Sequence, residues 1–329
     1  MSRIEELKIK AKLDKKTIVL PETMDERVLE AASIVITEDL ANIILLGDKD
    51  KYLNNYPVLT KAEWINPENS ILLAEYATKL YELRKHKGMT YEQANQLLVN
   101  DYMYFACMLV LDKKADGIVS GACHSSSNTL RPALQIIKGK ENFVSSFFLM
   151  ETNAKDLGKD GLFIFADCGL NQNPSSSELA IIAGQAINSY EELIGNDPSV
   201  SFLSHSTYGS SNHSDVDKVK EAVAIAKQNR PNHLIDGELQ LDAAIIPEVA
   251  KTKCPNSPLK GQANILIFPD LDSGNIGYKL VERFADAKAY GPLTQGLKCA
   301  INDLSRGSSV EDIVGVILIT CIQAKNNML

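Results

Sequence analysis

An α/β protein with mainly parallel sheet is what this sequence predicts, from three observations. Short aliphatic runs of strand length recur at 17–20, 41–46, 117–120, 162–166, 200–203 and 264–268. Amphipathic helical stretches separate most of them, the alternation that parallel strands joined by crossovers require. Apolar residues make up 45% of the chain and charged residues 23%, a globular composition that excludes disorder and low complexity.

The helical pattern is clearest at 71–86, and at Thr90, which with Gln93 makes a capping box opening an apolar helix that runs to about residue 111. At roughly 150 residues per domain, the 329 residues suggest two domains. No repeat or flexible linker marks where one would end.

Charge and motifs narrow the function. Lys plus Arg total 34 against 42 Asp plus Glu, a net charge of −8 that provides a poor field for nucleic acid or anionic lipid. The six cysteines stand far apart with no C-x-x-C pair, and the five histidines (His86, His124, His205, His213, His233) have no ligand spacing, so reduced thiols and no metal are expected. Acidic Glu5 and Glu6 stand where a signal peptide has its apolar core, and the longest apolar run, 313–322, is short of the ~20 residues of a membrane span. A soluble cytoplasmic protein is expected. Walker, G-x-G-x-x-G, H-E-x-x-H and G-x-S-x-G signatures are all missing.

Two hydroxyl-rich loops carry an arginine. In 120–134 (SGACHSSSNTLRPAL), a strand end leads into a helix whose first turn is expected to hold Pro132, the arrangement that gathers N–H and hydroxyl donors on an anion. Arg131 there breaks a local rule, since a cation at a helix N-terminus costs roughly 0.3–1 kcal/mol. The serines can equally serve only as caps. In 302–312 (NDLSRGSSVED), Ser309 and Asp312 fit a capping box, so Asp312 has a structural explanation as well as a chemical one. A third loop, 204–211 (SHSTYGSS), reads as an ordinary βα loop or a phosphate cradle, and 81–87 (YELRKHK) is a basic helix end.

These loops occur with 144–150 (VSSFFLM), 165–168 (FADC), 236–244 (DGELQLDAA), 269–279 (PDLDSGNIGYK) and 291–297 (GPLTQGL). In that order they make the chain resemble the phosphotransacetylase family over essentially its whole length. The resemblance implies two three-layer α/β/α domains similar to the isocitrate/isopropylmalate dehydrogenase-like fold. The first would comprise 1–143 with 293–329 and the second 144–292, with the active site in the cleft between them. It implies reversible transfer of acetyl between coenzyme A (CoA) and phosphate in a ternary complex, with CoA as substrate, no cofactor and no metal, in a homodimer.

By the same resemblance, Asp312 is the base, while Ser305 and Arg306 hold the acyl phosphate and its developing oxyanion. Arg84 contacts the CoA 3′-phosphate and Arg131 grips phosphate or CoA. Ser125, Ser126, Ser127 and Thr129, with Ser206, Thr207, Gly209 and Ser210, complete the phosphate pocket. A carboxyl at its ordinary ~3.9 facing a thiol near ~8.5 makes complete prior proton transfer cost roughly 6 kcal/mol. Either burial raises the carboxyl or the proton moves as the C–S bond forms. Asn128, Gln172, His205, Tyr208 and Ser308 depart from the family pattern and leave acyl preference open, because one methylene changes discrimination by only ~1–3 kcal/mol. A butyryl-transferring relative and a noncatalytic acetyl-CoA sensor are the alternatives.

Overall fold

The computed structural model describes residues 3–137 and 143–327. The chain divides into two compact units, 1–142 with 297–329, and 143–296. Among the described residues eleven strands lie in two sheets: β1 (Thr17–Leu20), β2 (Asn42–Leu46), β3 (Glu63–Ile65), β4 (Gly117–Ser120), β5 (Ser145–Glu151), β6 (Leu162–Ala166), β7 (Ser199–Leu203), β8 (Leu234–Leu239), β9 (Ile265–Ile267), β10 (Lys288–Gln295) and β11 (Ala300–Asp303).

The first unit's sheet runs β11-β4-β1-β2-β3, every pair parallel. Buried on both faces over most of their length, β1, β2 and β4 carry consecutive aliphatic residues at 18–20, 43–46 and 118–119 rather than alternating ones. The helix Val310–Gln323 is buried from Ile313 to Ile322 and packs on this sheet, which is why its apolar run is long without spanning a membrane. No described helix is long and apolar enough to cross a membrane.

Two helical expectations change. The stretch opened by Thr90 is two helices, Tyr91–Asn100 and Tyr102–Leu111, broken at Asp101. Asp101 is extended (φ −131°, ψ 93°), and its carboxylate accepts the Met103 N–H, capping the second helix. The helix after β4 starts at Ser126, so Pro132 and Arg131 lie in its second turn, and the hydroxyls Ser126 to Thr129 occupy the first. Arg131 is thereby clear of the N–H groups that would repel it. Pro132 has no N–H for the Asn128 carbonyl one turn back.

The second unit's sheet runs β10-β5-β6-β9-β7-β8, with β5 antiparallel to both neighbours and the rest parallel. Leu293, Thr294 and Gln295 pair with Phe147, Ser146 and Ser145, which keeps 293–296 in this unit. Two sequence signatures here are anchors. Asp167 is buried, and its carboxylate accepts the N–H groups of Gly169, Leu170 and Asn171. Asp236, also buried, accepts the Tyr208 and Ser257 hydroxyls at 2.6 Å each and the Lys227 ammonium at 2.9 Å.

Candidate active site

The order of the first sheet reverses at β1: the chain leaves it for β2 and β3 on one side and returns to β4 on the other. Open parallel sheets take ligands outside the carboxyl ends of the strands at such a switch point. The segments emerging there are 21–27 after β1, 121–129 after β4 and 304–312 after β11.

Glu22, 2% exposed, organises the second segment. Its Oε2 accepts the N–H groups of Gly121 (2.6 Å) and Ala122 (2.7 Å), while Oε1 faces His124 Nδ1 at 2.6 Å and Cys123 Sγ at 3.3 Å. Partial burial, then the Glu22 charge, pushes the Cys123 thiol up to about 12, so it is mostly protonated at neutral pH.

Arg27 ties the three segments together. Its Nε and Nη2 donate to the two Asp25 oxygens (3.0 and 2.7 Å), and Nη2 also donates to the Ala122 carbonyl (2.8 Å). Nη1 donates to the Arg306 and Ser308 carbonyls at 2.9 and 2.8 Å. The guanidinium holds the Asp25 carboxyl below its ordinary range. A lysine could not make this planar fork.

The 304–312 segment carries Ser305, Arg306 and Asp312 in one turn at the head of the last helix. Arg306 is exposed. The capping box is real: the Ser309 N–H and Oγ both donate to Asp312 Oδ2 at 2.8 Å, and the Asp312 N–H donates back to Ser309 Oγ at 3.2 Å. Oδ1 of Asp312 carries no hydrogen bond among the described residues. One oxygen thus serves the helix and the other is open to a proton.

Asp303, the last residue of β11, is 1% exposed, and among the described residues neither carboxylate oxygen has a partner in good hydrogen-bond geometry, the Ser126 and Thr129 hydroxyls and the Leu304 N–H lying only nearby. The buried Thr129 hydroxyl is likewise unpartnered. Burial pushes Asp303 up to about 6; the Glu22 charge adds to this, while the nearby Ser126 and Thr129 hydroxyls oppose it. Gly121 lies against this carboxylate. A Cβ there would stand 2.2 Å from Asp303 Oδ1 and 2.6 Å from the Leu304 nitrogen, at φ +114°. Only glycine lets the two loops approach so closely.

Ser125 is the N-cap of the Ser126 helix without a side-chain cap bond, and Ser125 and Ser127 are exposed. A cavity of about 570 Å³ lies beside them, lined by Thr23, Asp101, Ser120, His124, Asn128 and Thr129 among others. A second one, of about 650 Å³, brings Arg84, Lys87 and Arg131 together, and Asn100 lines both. Arg84 Nε is buried without a partner, and neither arginine forms an ion pair among the described residues. Unpaired guanidinium groups in a pocket await an anion.

In the second unit the 204–211 loop spends its donors internally. Ser206 Oγ and the Gly209 N–H donate to Glu238 Oε1 (2.8 and 2.7 Å), Thr207 Oγ1 donates to Gln240, and Ser210 Oγ accepts the Thr207 N–H. Ser206 and Thr207 are buried, leaving Ser210 the exposed hydroxyl of the four predicted residues.

Sequence reading missed Glu22, Asp25, Arg27 and Asp303. The signal for the first three was a charged P-E-T-x-D-E-R run directly after a buried strand; Asp303 gave none, since β11 reads as polar loop.

Comparison with known proteins gives one consistent result. The family model described as phosphate acetyl/butaryl transferase matches residues 2–321. A phosphate acetyltransferase of Thermoanaerobacterium thermosaccharolyticum is 51% identical, covering 99% of this chain and 100% of that relative. A phosphotransacetylase structure from Streptococcus pyogenes superposes with a TM-score of 0.90 at 42% identity, covering 99% of each chain. A 4-hydroxythreonine-4-phosphate dehydrogenase from Klebsiella pneumoniae, 13% identical with a TM-score of 0.52 over 94% of this chain and 100% of that one, shares the fold.

Proposed function

The chain belongs to the phosphate acetyl/butaryl transferase family and is an acyltransferase that moves acetyl between CoA and phosphate, and we propose how its own residues perform the step. The CoA sulfur attacks the carbonyl carbon of acetyl phosphate, a C–S bond forms, the C–O bond to phosphate breaks, and the thiol proton passes to Asp312 Oδ1. Arg306 and Ser305 donate to the oxyanion and to the departing phosphate. CoA is a substrate, and the scheme requires no cofactor.

The observation that carries this reading is the turn itself: a hydroxyl, a free guanidinium and a carboxylate with one unbonded oxygen, fastened by Arg27 to the hydroxyl loop after β4. Ser126 and Thr129 lie in the first helical turn after that loop, and the exposed Ser125 and Ser127 supply further phosphate donors there. Thioester absorbance followed with CoA and acetyl phosphate tests the scheme, and propionyl and butyryl phosphate rank the acyl groups. Tight acetyl-CoA binding without turnover would mark a sensor instead.

Arg84, Lys87 and Arg131 form the cationic end of the CoA site, matched to its phosphates. A charge-assisted hydrogen bond contributes about 1.5–3 kcal/mol. Arg84→Ala is therefore expected to raise KM for CoA by roughly 10- to 100-fold with kcat little changed, measured by steady-state kinetics; an unchanged KM removes Arg84 from the site.

A homodimer is supported by the helix Leu271–Phe284, on which Ile276, Leu280 and Phe284 form an i, i+4, i+8 stripe exposed by 58, 49 and 87%. Sedimentation is expected to give about twice the 36.1 kDa chain mass. Six free cysteines support a reducing, cytoplasmic setting.

A further inference from the structure

Sequence spacing offers no metal site, yet folding brings one ligand set together from residues about a hundred positions apart. We propose that Glu22, Cys123 and His124 bind a thiophilic divalent cation of the zinc class, with a fourth position left open to solvent. Cys123 Sγ lies 3.3 Å from Glu22 Oε1 and 3.4 Å from His124 Nδ1, and the latter two are 2.6 Å apart. Among the described residues this is the single such cluster.

Tetrahedral zinc, with bonds of about 2.3 Å to sulfur and about 2.0–2.1 Å to nitrogen and oxygen, places its ligand atoms roughly 3.3–3.6 Å apart. Both pairs involving sulfur, at 3.3 and 3.4 Å, lie within about 0.3 Å of the upper end that sulfur requires. The third opens by roughly 0.7 Å through rotation of the exposed His124 ring. The buried carboxylate is preoriented: Gly121 and Ala122 N–H groups hold Oε2, and Oε1, which accepts the Cys123 N–H at a long 3.3 Å, keeps a lone pair for the metal, the outer-shell support that ligating carboxylates need. On binding, the S–H bond gives way to S–Zn and its proton leaves to solvent, while the imidazole carries its hydrogen on Nε2 and offers the Nδ1 lone pair. His124 also lines the 570 Å³ cavity, so the cation sits at the wall of the substrate space.

Cobalt(II) titrated into the full-length protein tests this without reference to activity. The expected result is a thiolate-to-cobalt charge-transfer band in the near ultraviolet and strong tetrahedral visible bands, saturating at one cobalt per chain and erased by zinc. Cys123→Ser should abolish the charge-transfer band and weaken binding at least about tenfold, with metal-free thioester formation unchanged. Zinc should also shield Cys123 of the unaltered protein from alkylation, read by peptide mass spectrometry. A pale six-coordinate cobalt spectrum, a charge-transfer band surviving in Cys123→Ser, or unshielded Cys123 overturns the site.

Discussion

Asp312→Asn is expected to lower kcat by about 10²- to 10⁴-fold, the usual contribution of a positioned general base, while KM for CoA changes little. The substitution separates the two duties of this residue. An amide oxygen can still accept from the Ser309 N–H and hydroxyl, as Oδ2 now does at 2.8 Å, so the capping box survives. An amide cannot take the thiol proton. Ser309→Ala is the counterpart: it removes the hydroxyl partner, costs about 1 kcal/mol of stability, and leaves the carboxylate in place. Turnover lost in the first variant and stability in the second is the pattern a base predicts. Near-normal turnover in Asp312→Asn would leave Asp312 as a cap alone.

The parts of this molecule that were legible in its sequence are those governed by local physics. β1, β4 and β6 were bounded correctly because strands buried on both faces show as short, mostly apolar runs. The Ser309 capping box was readable because it is a contact between residues three apart. The break at Asp101 was hidden, since helix-compatible sequence runs on both sides of it, amphipathic before and apolar after, and one aspartate carries the stop signal. Distant pairings left even less trace. Nothing near Arg27 announces that it will clasp carbonyls at Arg306 and Ser308, and nothing near Cys123 announces Glu22. The family resemblance located the 304–312 turn, but the residues that fasten and tune that turn became visible only in three dimensions.

Asp303→Asn is expected to make the protein more stable at pH 8 and to leave it nearly unchanged at pH 4. Buried on β11 with neither oxygen in good hydrogen-bond geometry, the carboxyl is pushed up to about 6, above the ~3.9 of an unfolded chain. The folded state therefore holds this proton more tightly than the unfolded state. That preference stabilises the fold below the unfolded value and is lost as pH rises through about 6. The gap between the two values corresponds to roughly 3 kcal/mol, felt in full above pH 6. The charged neighbour facing the group is Glu22, which sharpens the penalty; Ser126, Thr129 and the Leu304 N–H soften it. An asparagine is neutral throughout and escapes the cost. Denaturant titrations of both proteins between pH 4 and 8 should therefore diverge as pH rises, and parallel curves would refute the assignment. The cost is local: it belongs to one carboxylate buried beside the Ser126 and Thr129 hydroxyls, and neutralising that carboxylate is enough to remove it.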